Sequence, residues 1–241
     1  MVQTFGERVA WSLAIALLVD DAFVKDTNVE RVSTIRPGIL VAATALCGVL
    51  SGLVWHSRGP VGWERPFISL FQREQPPMTR SLVLLWQPLP FAVATMWLAW
   101  TAVRSDRVQL AVSGTIGCVA AMIVTERVLK PLVSRHHLYS GSTVFPSGHV
   151  TACAAWAMFA WLAIDPRARL RSALVLVPIM VGWAVISTGV HYPADAIAGG
   201  LVGGLVVYGI VVSADRLTTA MTTRPLQVPT ADGAVHHRTG R

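Results

Sequence analysis

Six stretches of this chain, at 38–55, 81–103, 108–125, 149–164, 172–189 and 196–212, are apolar over about the length of a bilayer crossing. The hydrocarbon core is about 30 Å thick, and an α-helix rising about 1.5 Å per residue crosses it in roughly 20 residues. Backbone N–H and C=O groups placed in hydrocarbon must bond within their own segment or a closed barrel. Continuous runs of this kind, without strand-like alternation, point to helices. The expected fold is therefore all-α, a polytopic membrane protein built as a six-transmembrane-helix bundle. Composition agrees: 53% of residues are hydrophobic and 14% charged, with mean hydropathy +0.54, against about 25% charged in ordinary soluble domains. A disordered chain is excluded.

Residues 38–212 form the expected membrane domain. The preceding segment, 1–37, holds an apolar stretch at 9–19 that Asp20 and Asp21 end. Eleven residues are short for a span, and acidic residues stand where a signal-peptide cleavage site needs small ones. An N-terminal interfacial or short extra helix fits better. Residues 213–241 are expected to form a polar, disordered cytoplasmic tail, in which His236 and His237 are incidental. Pro88 and Pro90 predict a kink or a late start in the second run. Gly199, Gly200, Gly203 and Gly204 in the last run provide small-residue pairs four apart, read as close packing inside the bundle rather than a dimer face. Cys47, Cys118 and Cys153 lie in apolar runs, and their spacing suits neither zinc nor a redox pair.

The net charge of +7 does not argue for nucleic acid, because no basic stripe with interleaved aromatics exists. In a membrane protein basic residues set topology. Six spans divide the 20 Lys and Arg into 7 on the side of 56–80, 130–150 and 191–195, counting Arg127, and 13 on the other. Arg167, Arg169 and Arg171 share a short loop on the richer side, which is expected to be cytoplasmic. The expected location is the plasma membrane, with the first side facing outward. The sequence sets no oligomeric state.

That outward side collects three polar segments at helix ends: Glu126–His137, Phe145-Pro146-Ser147-Gly148-His149, and Gly189-Val190-His191-Tyr192-Pro193-Ala194-Asp195. Ser147-Gly148-His149 opens an apolar helix, whose free N–H groups favour an anion, and Gly148 admits a ligand closely. Lys130 and Arg135 add positive charge. Asp195 stands four residues after His191 and can accept its ring N–H, which strengthens the other nitrogen as a nucleophile. His149 supplies a second titratable ring, so that one histidine attacks and the other protonates a leaving group. Each piece also has a plain structural reading: an interfacial histidine, an N-capping aspartate, a lysine anchor. Their meeting on one face makes the cluster a functional hypothesis.

Pro146-Ser147-Gly148-His149, followed after 41 residues by His191-x-x-x-Asp195, resembles the type 2 phosphatidic acid phosphatase superfamily over roughly 38–212. That family's pattern runs Lys-x6-Arg-Pro, then Pro-Ser-Gly-His, then Ser-Arg-x5-His-x3-Asp. The resemblance implies that His191 forms a phosphohistidine, Asp195 orients it and His149 protonates the leaving oxygen. It implies phosphate ligation by Lys130, Ser147 and Gly148, and no metal or cofactor. The chain departs from the pattern at four positions: His137 and Leu138 stand for Arg-Pro, and Ala184 and Val185 for Ser-Arg. Arg135 and His137 are the expected replacements as phosphate ligands, with Arg127 more remote.

The implied activity is hydrolysis of a phosphomonoester or diphosphate of a membrane lipid. A polyprenyl phosphate or diphosphate suits an outward site for cell-envelope synthesis, and phosphatidic acid or phosphatidylglycerol phosphate comes next. The alternatives are a degenerate phospholipid-binding or scaffold protein, favoured by the missing arginines, and a lipid phosphotransferase.

Overall fold

The computed structural model describes residues 37–71, 78–137, 141–163 and 173–222, and every named element within them is helical. The chain runs through α1 (Pro37–Val54), a 3-10 turn (Gly62–Glu64), α2 (Arg65–Phe71), α3 (Met78–Leu85), α4 (Pro88–Arg104) and α5 (Val108–Ile123). A π-helical segment (Val124–Leu129) joins α5 to α6 (Lys130–Val133), followed by α7 (Gly148–Ala163), α8 (Leu176–Ser187) and α9 (Pro193–Thr222). The all-α, membrane-type fold expected from the apolar runs is what forms. The possible N-terminal helix and most of the tail lie outside the described residues.

Among the described residues, three helices are long and apolar enough to cross a membrane: Pro37–Val54, the continuous Val108–Val133, and Pro193–Thr222. Thr79–Leu85 and Pro88–Arg104 pass only as a pair, bent by 61°. Gly148–Ala163 has 16 residues and Leu176–Ser187 has 12, about 24 Å and 18 Å at 1.5 Å per residue. Length alone thus bears out three of the six expected spans, or four with the bent pair. The bend falls where proline demands it. Pro88 has no N–H to continue the ladder of α3, the preceding Gln87 is extended (φ −70°, ψ 161°), and Pro88 begins the new helix. At the other end, α9 continues to Thr222, past the expected start of the tail at 213. The hydroxyls of Thr218, Thr219 and Thr222 bond back to carbonyls one turn earlier, so these polar residues stay helical.

The core lies around α7, of which only His149, Met158 and Trp161 are not buried. A helix apolar on all sides belongs at the centre of a bundle, and its many alanines let neighbours approach. α9 lies closest. A Cβ on Gly203 would come within 2.4 Å of the Thr151 carbonyl oxygen, and one on Gly199 within 2.6 Å of that of Ser147. The glycines expected to pack inside the bundle do so, and this contact places the starts of α7 and α9 side by side. α5 approaches α9 at Gly117, opposite Val207, and α7 at Gly114, opposite Phe159. The far end of α7 is capped by Arg107, whose guanidinium donates to the carbonyls of Ala163 (2.6 Å) and Leu162 (3.3 Å).

The glycine contact is testable. Gly203→Ala forces α9 away from backbone atoms that cannot yield and is expected to cost about 1–3 kcal/mol. Gly48→Ala, with nothing within 4 Å of the added methyl, serves as the control. Thermal unfolding in detergent compares them; equal melting temperatures would show that α7 and α9 do not meet as described.

Candidate active site

The site forms where α7 and α9 begin. Ser147 ends the Phe145-Pro146-Ser147 turn (the Phe145–Pro146 bond is cis) and precedes α7. Its backbone N–H donates to the Asp195 carbonyl (2.9 Å), while its own carbonyl accepts from the Thr151 N–H (2.9 Å) and the Thr151 hydroxyl (2.9 Å). Two chain segments 48 positions apart are thereby joined at one level. The Ser147 hydroxyl is buried and has no hydrogen-bond partner. Gly148 and His149 follow as the first residues of α7, where backbone N–H groups lack intrahelical acceptors.

His191 sits in the turn between α8 and α9. Gly189 takes a left-handed conformation (φ +73°), and the N–H groups of Val190 and His191 both donate to the Val185 carbonyl (3.1 and 3.2 Å). This closes α8 and directs the chain back toward α7. The rings of His149 and His191 then lie with centroids 6.2 Å apart and planes at 68°. Pro193 opens α9, with Asp195 in its first turn. One carboxylate oxygen of Asp195, Oδ2, accepts the Tyr192 N–H at 2.9 Å, the return bond of a helix-start box. The same oxygen lies 3.6 Å from His191 Nδ1, which is buried and makes no hydrogen bond. The two groups therefore stand close, several tenths of an ångström beyond ordinary hydrogen-bond distance.

Lys130 reaches this site from the π-helical segment. Such single π turns inside α-helices are frequent at functional sites. The Lys130 N–H bonds to the Thr125 carbonyl five residues back. Lys130 Nζ is held by both carboxylate oxygens of Glu126 (2.7 and 2.8 Å). A Cβ added to Gly148 would lie 2.6 Å from Glu126 Oε1 and 3.9 Å from Lys130 Nζ. The lysine and its carboxylate partner therefore lie against the start of α7, and Glu126 is an anionic side chain that the motifs did not single out.

The remaining expected ligands are placed differently. Arg135 is wholly buried, with 0% exposure. Its NH1 group donates to Asp195 Oδ1 (2.6 Å) and Glu64 Oε1 (3.2 Å). Its NH2 group donates to the Gly59 carbonyl (3.0 Å) and to Glu64 Oε2, and the guanidinium lies 4.4 Å from the centre of the Tyr192 ring. Burial works against its charge, but the Glu64 hydrogen bond and the charges of Asp195 and Glu64 outweigh this and raise its pKa. Arg135 thus stands beneath Asp195, not in the space beside Gly148. His137 stacks on Tyr192 (5.7 Å, 15°), and its Nε2–H donates to the Gly189 carbonyl (3.0 Å). It braces the turn that carries His191. Arg127 is exposed on the π segment.

Glu64 is the residue that the motifs missed. It is 0% exposed and lies in the 3-10 turn after α1. Besides Arg135 it accepts the N–H groups of Val61 (2.8 Å) and Ala194 (3.0 Å). It is 71 positions from Arg135 and 130 from Ala194. No local pattern marks it.

Two facing histidines, an aspartate behind one and a lysine beside a helix start thus meet at one end of a bundle of apolar helices. Residues 129–218 match the model of the PAP2 superfamily, a span that contains Lys130, Pro146–His149 and His191–Asp195. The match bears out the resemblance to type 2 phosphatidic acid phosphatases over this region. Neither curated proteins nor solved structures yield a match.

The buried ion set makes a firm stability prediction. Arg135→Ala leaves Glu64 and Asp195 without a counter-charge and is expected to cost about 3–5 kcal/mol. Unfolding of the purified variant in detergent measures it. A loss below about 1 kcal/mol would contradict the burial of these charges.

Proposed function

We propose that the protein is a membrane lipid phosphatase that works through a phosphohistidine on His191 and needs no metal. The facing pair of His149 and His191, with Asp195 behind His191, carries this reading. Nδ1 of His191 faces Asp195, so Nε2 is the nitrogen that attacks phosphorus. A bond forms from Nε2 to phosphorus as the ester P–O bond breaks, and the departing oxygen takes a proton from His149. Water then attacks the phosphohistidine and passes a proton to His149, and the P–N electron pair returns to the ring. Lys130 and the N–H groups opening α7 hold the charge on the phosphoryl oxygens. Before binding, Lys130 is paired with Glu126; a substrate phosphate takes the lysine from it. Ser147, whose hydroxyl has no other partner, is a further donor.

The apolar helix surfaces beside the site suit a lipid whose tail remains in the bilayer. Among lipids, we favour a polyprenyl phosphate or diphosphate, then phosphatidic acid or phosphatidylglycerol phosphate, presented on the outer face of the plasma membrane. With Arg135 held beneath Asp195, Lys130 is the cationic ligand nearest the start of α7 in this reading.

Phosphate release in detergent with EDTA, from each of these four lipids in parallel, tests the reading. Wild-type protein is expected to turn over at least one lipid, and His191→Ala to lose about 10⁴-fold or more. Lipid binding without release, in folded wild-type protein, would identify a binding module instead. Transfer to an added alcohol at the expense of water would identify a phosphotransferase.

A further inference from the structure

We propose that Glu64 is a positioning residue for the His191 nucleophile: acting through Arg135, it fixes Asp195 beneath the ring and sets one buried negative charge against the cation that forms there. The inference rests on the phosphatase reading and adds a residue to it.

Three side chains form the set, all with 0% exposure: Glu64, Arg135 and Asp195. Two carboxylates and one guanidinium leave one negative charge over. A buried charge left unbalanced is costly, and proteins usually remove it by pairing. Here the next titratable group along the line is His191, whose Nδ1 lies 3.6 Å from Asp195 Oδ2 and is only 7% exposed. When Nε2 attacks phosphorus, the ring keeps its Nδ1 proton and becomes cationic. The excess charge is then balanced, and the missing Nδ1–H···Oδ2 contact gains its full electrostatic value in a site with little water. Were Arg135 opposed by Asp195 alone, the pair would be neutral and the gain smaller. Glu64 supplies the second carboxylate.

Geometry adds to charge. Asp195 has its Oδ1 on Arg135 (2.6 Å) and its Oδ2 on the Tyr192 N–H (2.9 Å), which leaves the carboxylate one orientation. Arg135 is fixed in turn by Glu64 and the Gly59 carbonyl. Glu64 also accepts the Ala194 N–H, and so grips the first turn of α9 next to Asp195 itself. The turn after α1 thereby holds the nucleophile's support without touching a substrate.

Two variants separate this role from a purely structural one. Glu64→Gln removes the charge and keeps the length; Glu64→Asp keeps the charge and disturbs packing. Glu64→Gln is expected to lower kcat about 10–100-fold, as outer-shell changes do, with KM within about twofold. Glu64→Asp is expected to be faster than Glu64→Gln even where it melts lower; a structural brace would reverse that order. In an Asp195→Asn background the cost of Glu64→Gln is expected to shrink below about threefold, because the path to His191 is cut. An unchanged kcat in folded Glu64→Gln, or an equal cost in both backgrounds, would overturn the proposal. If Glu64→Gln does not fold, the same crossing made with Glu64→Asp decides: a cost that vanishes beside Asp195→Asn supports the role, and one that persists overturns it. Inactive wild-type protein would instead remove the phosphatase reading, and this role with it.

Discussion

A guanidinium without solvent contact can persist only where carboxylates meet it, and that requirement joins three distant parts of this chain. Arg135 gathers Glu64 from the turn after α1, Asp195 from the first turn of α9 and the Gly59 carbonyl. Desolvating these ions costs several kcal/mol each. The planar fork of arginine meets these demands together, because it bonds two carboxylates at once and lays a face on the Tyr192 ring. A lysine, as a point charge, would satisfy one of them. The position of Asp195 follows from this arrangement.

The second constraint is steric. Gly199 and Gly203 bring the backbones of α7 and α9 to a distance that no other residue permits. The close approach puts the Ser147 N–H on the Asp195 carbonyl and thereby sets the height of His149 against His191. Packing among apolar residues deeper in the bundle, around Trp156, Phe159 and Leu98, supports the contact but does not define the site. Arg107 closes the opposite end of α7, so that both ends of this short central helix are held by side chains or turns from other elements.

Much of this was legible from the chain alone. The apolar runs marked the helices, and Pro88 marked the bend between α3 and α4. The small-residue pairs marked the packing face of α9. Lys130, His149, His191 and Asp195 stood out because each belongs to a short motif at a helix end, and the fold gathers them near the starts of α7 and α9. What escaped were matters of distance and burial. Glu64 carries no motif, and apart from the neighbouring Val61 its partners include groups 71 and 130 positions away. Arg135 read as a spare cation for a phosphate because its sequence neighbourhood is polar; nothing local shows that its side chain turns inward beneath Asp195. His137 read as a stand-in for a missing arginine, yet its ring is used against Tyr192 and Gly189. The π turn that aims Lys130 also lacks a local sign.

The sequence by itself determined the helical class, because a chain this apolar has to bond its own backbone. It also determined the kinds of chemical group at the helix ends, because residue types are explicit in it. The tertiary structure alone decided which charges are paired and which side chains are dry. Those properties depend on how near the groups of separate segments come, and on how much water is left between them. Periodicity and spacing do not contain either quantity.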